Sequence, residues 1–296
     1  MMITVKTGIL PEDVKQSAKH VIFVEGKDDN SFDRLVLRTL FQDRIDVKPL
    51  GPSYHIRSAA EAFYKHHPTY YFLIDRDHYD DHFVEACWRN FPDPQTHNLL
   101  VWRRRELENY FIIPEYLSNS SYLRVSQDCL CQVIRDEAQK RLYMDAANQV
   151  ILFVREKLKE NWIQLFSHLD QFLTKEAALE QLRMRKEFDI YKSKAVCLVD
   201  EQNIAIRFEE ILSRLTGDVS LLTYGQGTWL EEISGKEIFH AVANRCLEVK
   251  DQNGNILRGR IQLNEIVKDL LKKPLDVQPP DFQQLHEMII KRIRTS

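Results

Sequence analysis

The stretch His20-Val-Ile-Phe-Val-Glu25-Gly-Lys-Asp-Asp29 decides how this chain is read, and Tyr70-Tyr-Phe-Leu-Ile-Asp75-Arg-Asp77 answers it fifty residues later. Each is a short apolar run that breaks abruptly into acid. Runs of this length, rich in Val, Ile, Phe and Tyr, mark buried strands of a parallel sheet. In open α/β sheets, ligands bind outside the carboxyl ends of the strands. Two strands ending in acid therefore predict a cluster of carboxylates on one rim of a sheet, the makings of a divalent-metal site.

Outward from these strands the first 115 or so residues alternate strand and helix signals. Val21–Val24 is expected as a strand and Asn30–Phe41 as a helix with Phe32, Leu35, Val36 and Leu40 on one face. Ile45–Leu50 should form a strand that stops at Gly51-Pro52, and Ile56–His66 a helix. Tyr70–Ile74, His82–Asn90 and Leu99–Trp102 complete a β-α-β-α-β-α-β order. That order implies a small, mostly parallel α/β sheet flanked by helices.

The texture changes near Ser121. Val125 to Leu215 holds no proline, and the next glycine is Gly217. Apolar spacing such as Val150, Phe153, Val154, Leu158 predicts an additional, mostly helical region. The expected organisation is an α/β core over 1–120, a helical region over 121–215, and a C-terminal segment 216–296 of loop and helices that packs back on the core. Thr216–Gly235 reads as loop; Lys236–Val249, Leu263–Lys272 and Asp281–Ile293 read as helices.

Composition sets the class. With 44% apolar and 29% charged residues in 296, the chain is an ordinary globular sequence. A net charge of −3 excludes a broadly basic nucleic-acid coat, yet 41 Lys and Arg remain to build a local groove. Five cysteines, an odd count, do not form a disulfide framework, and Cys129-Leu-Cys131 is too tight for a zinc hook. Met1-Met-Ile-Thr-Val-Lys6 has no basic-then-apolar signal pattern, and no apolar stretch is long enough to span a bilayer. The expectation is a cytoplasmic protein without membrane contact.

The acids carry the chemistry. Asp75 and Asp77 are two apart, so in extended chain both face one side while Arg76 faces the other. Glu25 lies at the end of its strand beside Gly26, and Asp29 falls four residues later, able to lean back toward it. Like charges 4 Å apart repel by roughly 4 kcal/mol at an effective dielectric near 20, so such a cluster requires a cation. Oxygen ligands select Mg²⁺ or Mn²⁺, whose exchangeable waters suit phosphoryl transfer. The alternative for Asp28 and Asp29 is simple capping of the helix that follows.

Val24-Glu25-Gly-Lys-Asp-Asp29 together with a strand ending in Asp75-x-Asp77 resembles a TOPRIM domain, the metal-binding fold of topoisomerases, bacterial primases and OLD-type nucleases. Arg103-Arg-Arg-Glu106-Leu-Glu108-Asn109-Tyr-Phe-Ile-Ile-Pro114-Glu is similar to a segment of the short TOPRIM proteins of phage-defence operons, with the effector subunits of the PARIS system the nearest likeness. The resemblance covers residues 18–116 and, more loosely, Gly235-Lys236. It implies a TOPRIM core over 1–120 and a Mg²⁺ (or Mn²⁺) nuclease with Glu25, Asp29, Asp75 and Asp77 as metal ligands; of the two glutamates after the fourth strand, Glu108 is the candidate for a further metal ligand or a water-orienting base. It also implies a late lysine, here Lys236, at the scissile phosphate. The same resemblance implies a toxic effector of anti-phage defence held by an ABC-type ATPase, acting on RNA such as tRNA or on DNA.

Several readings compete. Glu106 and Glu108, if extended, share a face, but with Arg103–Arg105 they can equally form a surface ion-pair network. Gly235-Lys236-Glu237 lacks the earlier glycine and the Ser/Thr of a phosphate loop. His78 and His82 have helical zinc spacing without the metalloprotease glutamate. Lys27, Arg76 and Arg103–Arg105 are the expected phosphate contacts. A haloacid-dehalogenase-type phosphatase would use Asp75 as nucleophile but places Tyr79 where its Thr belongs. A docking or sensor subunit would use the helices to grip an ATPase or a second copy of the chain, as a homodimer.

Overall fold

The computed structural model describes residues 20–26, 31–63, 66–77, 79–92, 97–159 and 174–295. Four strands, β1 (Val21–Glu25), β2 (Asp46–Gly51), β3 (Tyr70–Ile74) and β4 (Leu99–Val101), form one sheet in the order β2-β1-β3-β4. Every pairing is parallel. Three helices alternate with them: α1 (Phe32–Leu40), α2 (Ser53–Phe63) and α3 (Asp81–Asn90). The α/β architecture, a small parallel sheet flanked by helices, matches the expectation.

The strand order explains where a ligand belongs. The chain steps from β1 to β2 in one direction, then from β2 past β1 to β3 and on to β4 in the other. Right-handed crossovers then put α1 on one face of the sheet and α2 and α3 on the opposite face. The direction reverses between β1 and β3, and in open α/β sheets the carboxyl ends of strands at such a reversal are where ligands bind. The central strands are buried throughout: Ile22, Tyr71 and Phe72 are inaccessible, as a parallel sheet covered on both faces demands.

At the rim, β1 and β2 are stapled by reciprocal backbone bonds, Gly26 N–H to Gly51 O at 3.2 Å and Gly51 N–H to Gly26 O at 2.8 Å. Both glycines have positive φ, +129° and +110°, and a Cβ on Gly26 would sit 2.8 Å from Ser31 Cβ. This tight exit turns the chain from Glu25 toward α1, whose N-cap is Ser31, its Oγ accepting the Arg34 N–H. The cap is thus Ser31; Asp28 and Asp29 lie outside the described residues.

After β4 come a 3-10 turn (Leu107–Tyr110) and α4 (Pro114–Leu117), then α5 (Gln127–Lys159), α6 (Lys175–Arg183), α7 (Lys186–Val199), α8 (Glu201–Thr216), α9 (Trp229–Glu232), α10 (Gly235–Cys246), α11 (Gly259–Leu271) and α12 (Pro280–Thr295). Two compact units result, residues 1–133 with 235–296, and residues 134–234. The boundaries fall at Val133/Ile134 and Ser234/Gly235, so 216–234 groups with the helical unit. That segment is not all loop, because Trp229, 1% exposed, anchors α9 with its indole N–H on Thr223 O.

In the first unit, α11 packs on α1 and α10 on the 3-10 turn. Asp281 at the start of α12 accepts Tyr110 Oη–H at 2.5 Å and Arg103 Nη1 at 2.7 Å. The second unit centres on Arg214, whose guanidinium grips both carboxylate oxygens of buried Glu232 and donates to Gln149 Oε1 at 2.8 Å. No helix among the described residues is long and apolar enough to cross a membrane.

Candidate metal centre

Glu25 closes β1 and Asp75 follows β3 directly, so the two acids flank the point where the strand order reverses. The Asp75 backbone N–H donates to Glu25 Oε1 at 3.1 Å. Burial raises the Glu25 carboxyl to about 7; the N–H groups of Asp75 and Ser53 pull it down, while the charges of Asp77 and Asp33 push it up. Asp75 is raised well above the ordinary range, first by burial and then by the charges of Asp33, Glu25, Glu108 and Asp77. Its Oδ1 is buried with no hydrogen-bond partner.

The premise of an extended Asp75-x-Asp77 fails. β3 ends at Ile74, and Asp77 is an exposed residue in the left-handed region at φ +46°. The chain turns at once so that Arg76 can reach inward, and Asp77 acts on Glu25 and Asp75 from the outer side of this turn. Arg76, expected as a phosphate contact, is engaged by the protein itself. Its guanidinium bonds Arg103 O at 2.9 Å, Tyr79 O at 3.1 Å and Asp81 Oδ1 at 2.6 Å. Arg103 is likewise committed, stacked 4.0 Å over Trp88 and bonded to Glu85 and Asp281. The Arg104 guanidinium lies 5.5 Å over the Tyr110 ring.

Glu106 and Glu108 do not share one extended run either: Glu106 is extended, but Glu108 lies inside a 3-10 turn. The Glu106 backbone N–H donates to Asn109 Oδ1 at 3.1 Å, which folds 107–110 into the 3-10 turn and separates the two acids. Glu108 points into the carboxylate group. Burial raises it to about 8, with the charges of Asp33 and Glu106 adding to this and Lys236 opposing it. Glu106 turns instead to α10, its Oε2 accepting the Lys236 backbone N–H at 2.9 Å.

Asp33 is a member that sequence reading missed. It lies in the first turn of α1, and burial raises its carboxyl above the ordinary range. A nonlocal aromatic cluster brings it to the others. Phe111 is fully buried and meets Phe32 edge-on at 5.6 Å, Phe239 in a stack at 5.7 Å and Phe282 at 5.9 Å. Phe32 adjoins Asp33, Phe111 follows Glu108, and Phe239 lies three residues beyond Lys236. The segments bearing Asp33, Glu108 and Lys236 each contribute a phenylalanine to this cluster.

Of the expected ligands, Glu25, Asp75, Asp77 and Glu108 act on one another here, joined by Asp33; Asp29 and His78 lie outside the described residues. His82 stands exposed on α3. Among the described residues, no group of three His, Cys, Asp or Glu side chains is drawn together as a ready-made metal cage. The donor set, all carboxylate oxygen with one orphaned buried oxygen, nonetheless suits a hard cation. Acids held this close to buried surroundings either take up protons or share a positive ion.

No protein family, curated protein or solved structure matches this chain. The fold and the rim define a class only: an α/β protein with acids gathered at its topological switch point.

Proposed function

We propose that the protein is a Mg²⁺- or Mn²⁺-dependent nuclease built on a TOPRIM-like core. The observation that carries this reading is Asp75, placed at the reversal of strand order, with a buried unpartnered Oδ1 and the charges of Glu25, Asp33, Asp77 and Glu108 acting on it. Glu25, Asp75 and Asp77 would hold the ion, with Glu108 and Asp33 beside them, and Asp29 keeps the ligand role that the resemblance implies. The ion supplies Lewis-acid activation of a phosphodiester and its attacking water. Lys236, near enough to Glu108 to lower its proton affinity, supplies positive charge where the transition state gathers negative charge.

The role of toxic effector in anti-phage defence, restrained by an ABC-type ATPase in the cytoplasm and directed at RNA such as tRNA or at DNA, rests on the sequence resemblance. Apolar residues exposed along α7 and α8, among them Ile190, Val196, Val199 and Ile206, support a protein partner or a second copy. A phosphatase using Asp75 as nucleophile leaves Glu25, Asp33 and Glu108 without a task.

The test is cleavage of labelled tRNA and plasmid DNA by purified protein with Mg²⁺, Mn²⁺ or EDTA, beside Glu25→Ala and Asp77→Ala. Metal-dependent cutting lost in both variants is the expected result. Cutting that survives EDTA or either substitution would overturn the assignment.

A further inference from the structure

We infer that Glu106 is a positioning residue that holds α10, and with it Lys236, against the turn bearing Glu108, and that it does not ligate the ion. The inference rests on the nuclease reading and adds a part to it.

Glu106 stands at the head of the 3-10 turn in extended backbone, φ −132° and ψ 155°. Its main chain is used locally: its N–H donates to Asn109 Oδ1 at 3.1 Å and its carbonyl accepts the Asn109 N–H at 3.0 Å. The side chain serves the turn as well, accepting the Asn109 N–H in a capping box, and reaches α10 from there. Oε2 accepts the Lys236 N–H at 2.9 Å, and Oε1 faces Arg105 Nε at 4.0 Å.

The N–H at stake has no partner within α10, because the first four amide groups of a helix lack one. A carboxylate there satisfies the donor and complements the positive end of the helix. The contact is also fixed in distance. A Cβ built on Gly235 would lie 2.5 Å from both the N and Oδ1 of Asn109, so the helix starts against the turn itself. Glycine at 235 lets the two backbones touch, and Glu106 then sets where the next residue, Lys236, begins. The separation of the Lys236 ammonium from Glu108 follows from this clamp, in agreement with the influence of Lys236 on Glu108. The Glu106 carboxylate is thus engaged by backbone amides on both sides of the contact, Asn109 in the turn and Lys236 in α10.

The experiment compares wild type, Glu106→Ala and Glu106→Gln in the full-length protein by three readouts: steady-state cleavage, the Mg²⁺ concentration for half-maximal rate, and hydrogen exchange of the Lys236 amide. The Gln amide oxygen accepts the same N–H, so Glu106→Gln should keep most of the rate and the amide protection. Glu106→Ala should lose about a hundredfold in kcat, the scale of a misplaced catalytic group, with the Mg²⁺ midpoint unmoved and Lys236 exchanging faster. If Glu106→Gln is as impaired as Glu106→Ala, or the Mg²⁺ midpoint climbs in both, Glu106 is a ligand and the inference is wrong. Unchanged exchange at Lys236 in Glu106→Ala likewise overturns it. Should wild type cleave nothing, the nuclease reading falls, while the exchange data still decide whether the clamp exists.

Discussion

Oε1 of Glu25 accepts the backbone N–H of Asp75 at 3.1 Å, tying together two acids fifty positions apart at the carboxyl ends of neighbouring strands. The bond has a direction that matters. Glu25 is steadied by an amide, whereas Oδ1 of Asp75 stays buried and unpartnered. A rim of this kind stores repulsion that protons or a cation relieve.

Stability without metal should fall as pH rises. Glu25 at about 7 and Glu108 at about 8 both exceed the ordinary carboxylate value of 4.5. Between the unfolded and folded values the native state binds more protons, so unfolding free energy decreases with pH across that window. Thermal melts in EDTA should show a lower midpoint at about pH 8 than at about pH 5, and Mg²⁺ should restore more at the higher pH. A midpoint that rises over this range would contradict the arrangement.

Asp75→Asn should separate stability from activity. Asn keeps the shape and removes a charge that burial and four neighbouring acids oppose. The metal-free variant should melt above wild type at about pH 8, by roughly 2–4 °C for each kcal/mol recovered. Cleavage should disappear in the same variant. A lower melting point would show that the carboxylate is not held under repulsion.

Tyr110→Phe should loosen the attachment of α12. The Tyr110 hydroxyl donates to Asp281 Oδ2 at 2.5 Å in a buried setting, and Asp281 also holds Arg103. Loss of a hydrogen bond to a charged group costs about 1.5–3 kcal/mol. Urea unfolding followed by circular dichroism measures this; a change well under 1 kcal/mol would mean Arg103 alone secures the helix.

Gly235→Ala should be destabilising by about 1–3 kcal/mol through overpacking, despite the helical preference of alanine. The added Cβ meets Asn109 backbone, which cannot swing aside as a flexible side chain would. Chemical denaturation reads the loss, and a neutral or stabilising outcome would refute the close approach.

The acid-tipped strands were legible because a buried strand announces itself by an unbroken apolar run, as in Val21–Val24 and Tyr70–Ile74. The alternation of strands and helices followed from the same signal. Asp33 was not legible, since an acid in the first turn of a helix looks the same whether it balances the helix dipole or serves a site. Glu108 was singled out with the wrong geometry. The shared face depended on extended spacing, but the side chain of Asn109 turns back on Glu106 within a 3-10 turn. The convergence on Phe111 was invisible because Phe239 and Phe282 come from distant helices, and no local pattern tells which aromatic residues will meet.

The division of the first unit into residues 1–133 and 235–296 has a consequence for synthesis. A ribosome that has emitted Glu108 has already made Glu25, Asp33, Asp75 and Asp77, yet Lys236 and the helix that carries it must wait until the whole inserted segment has been translated. The acids are thus present in every nascent chain long before the cation that partners them. A chain cut short at about Ser234 would carry the acidic half of the machinery alone. On the proposed nuclease reading, a product that stops before Lys236 would lack the lysine that acts on Glu108.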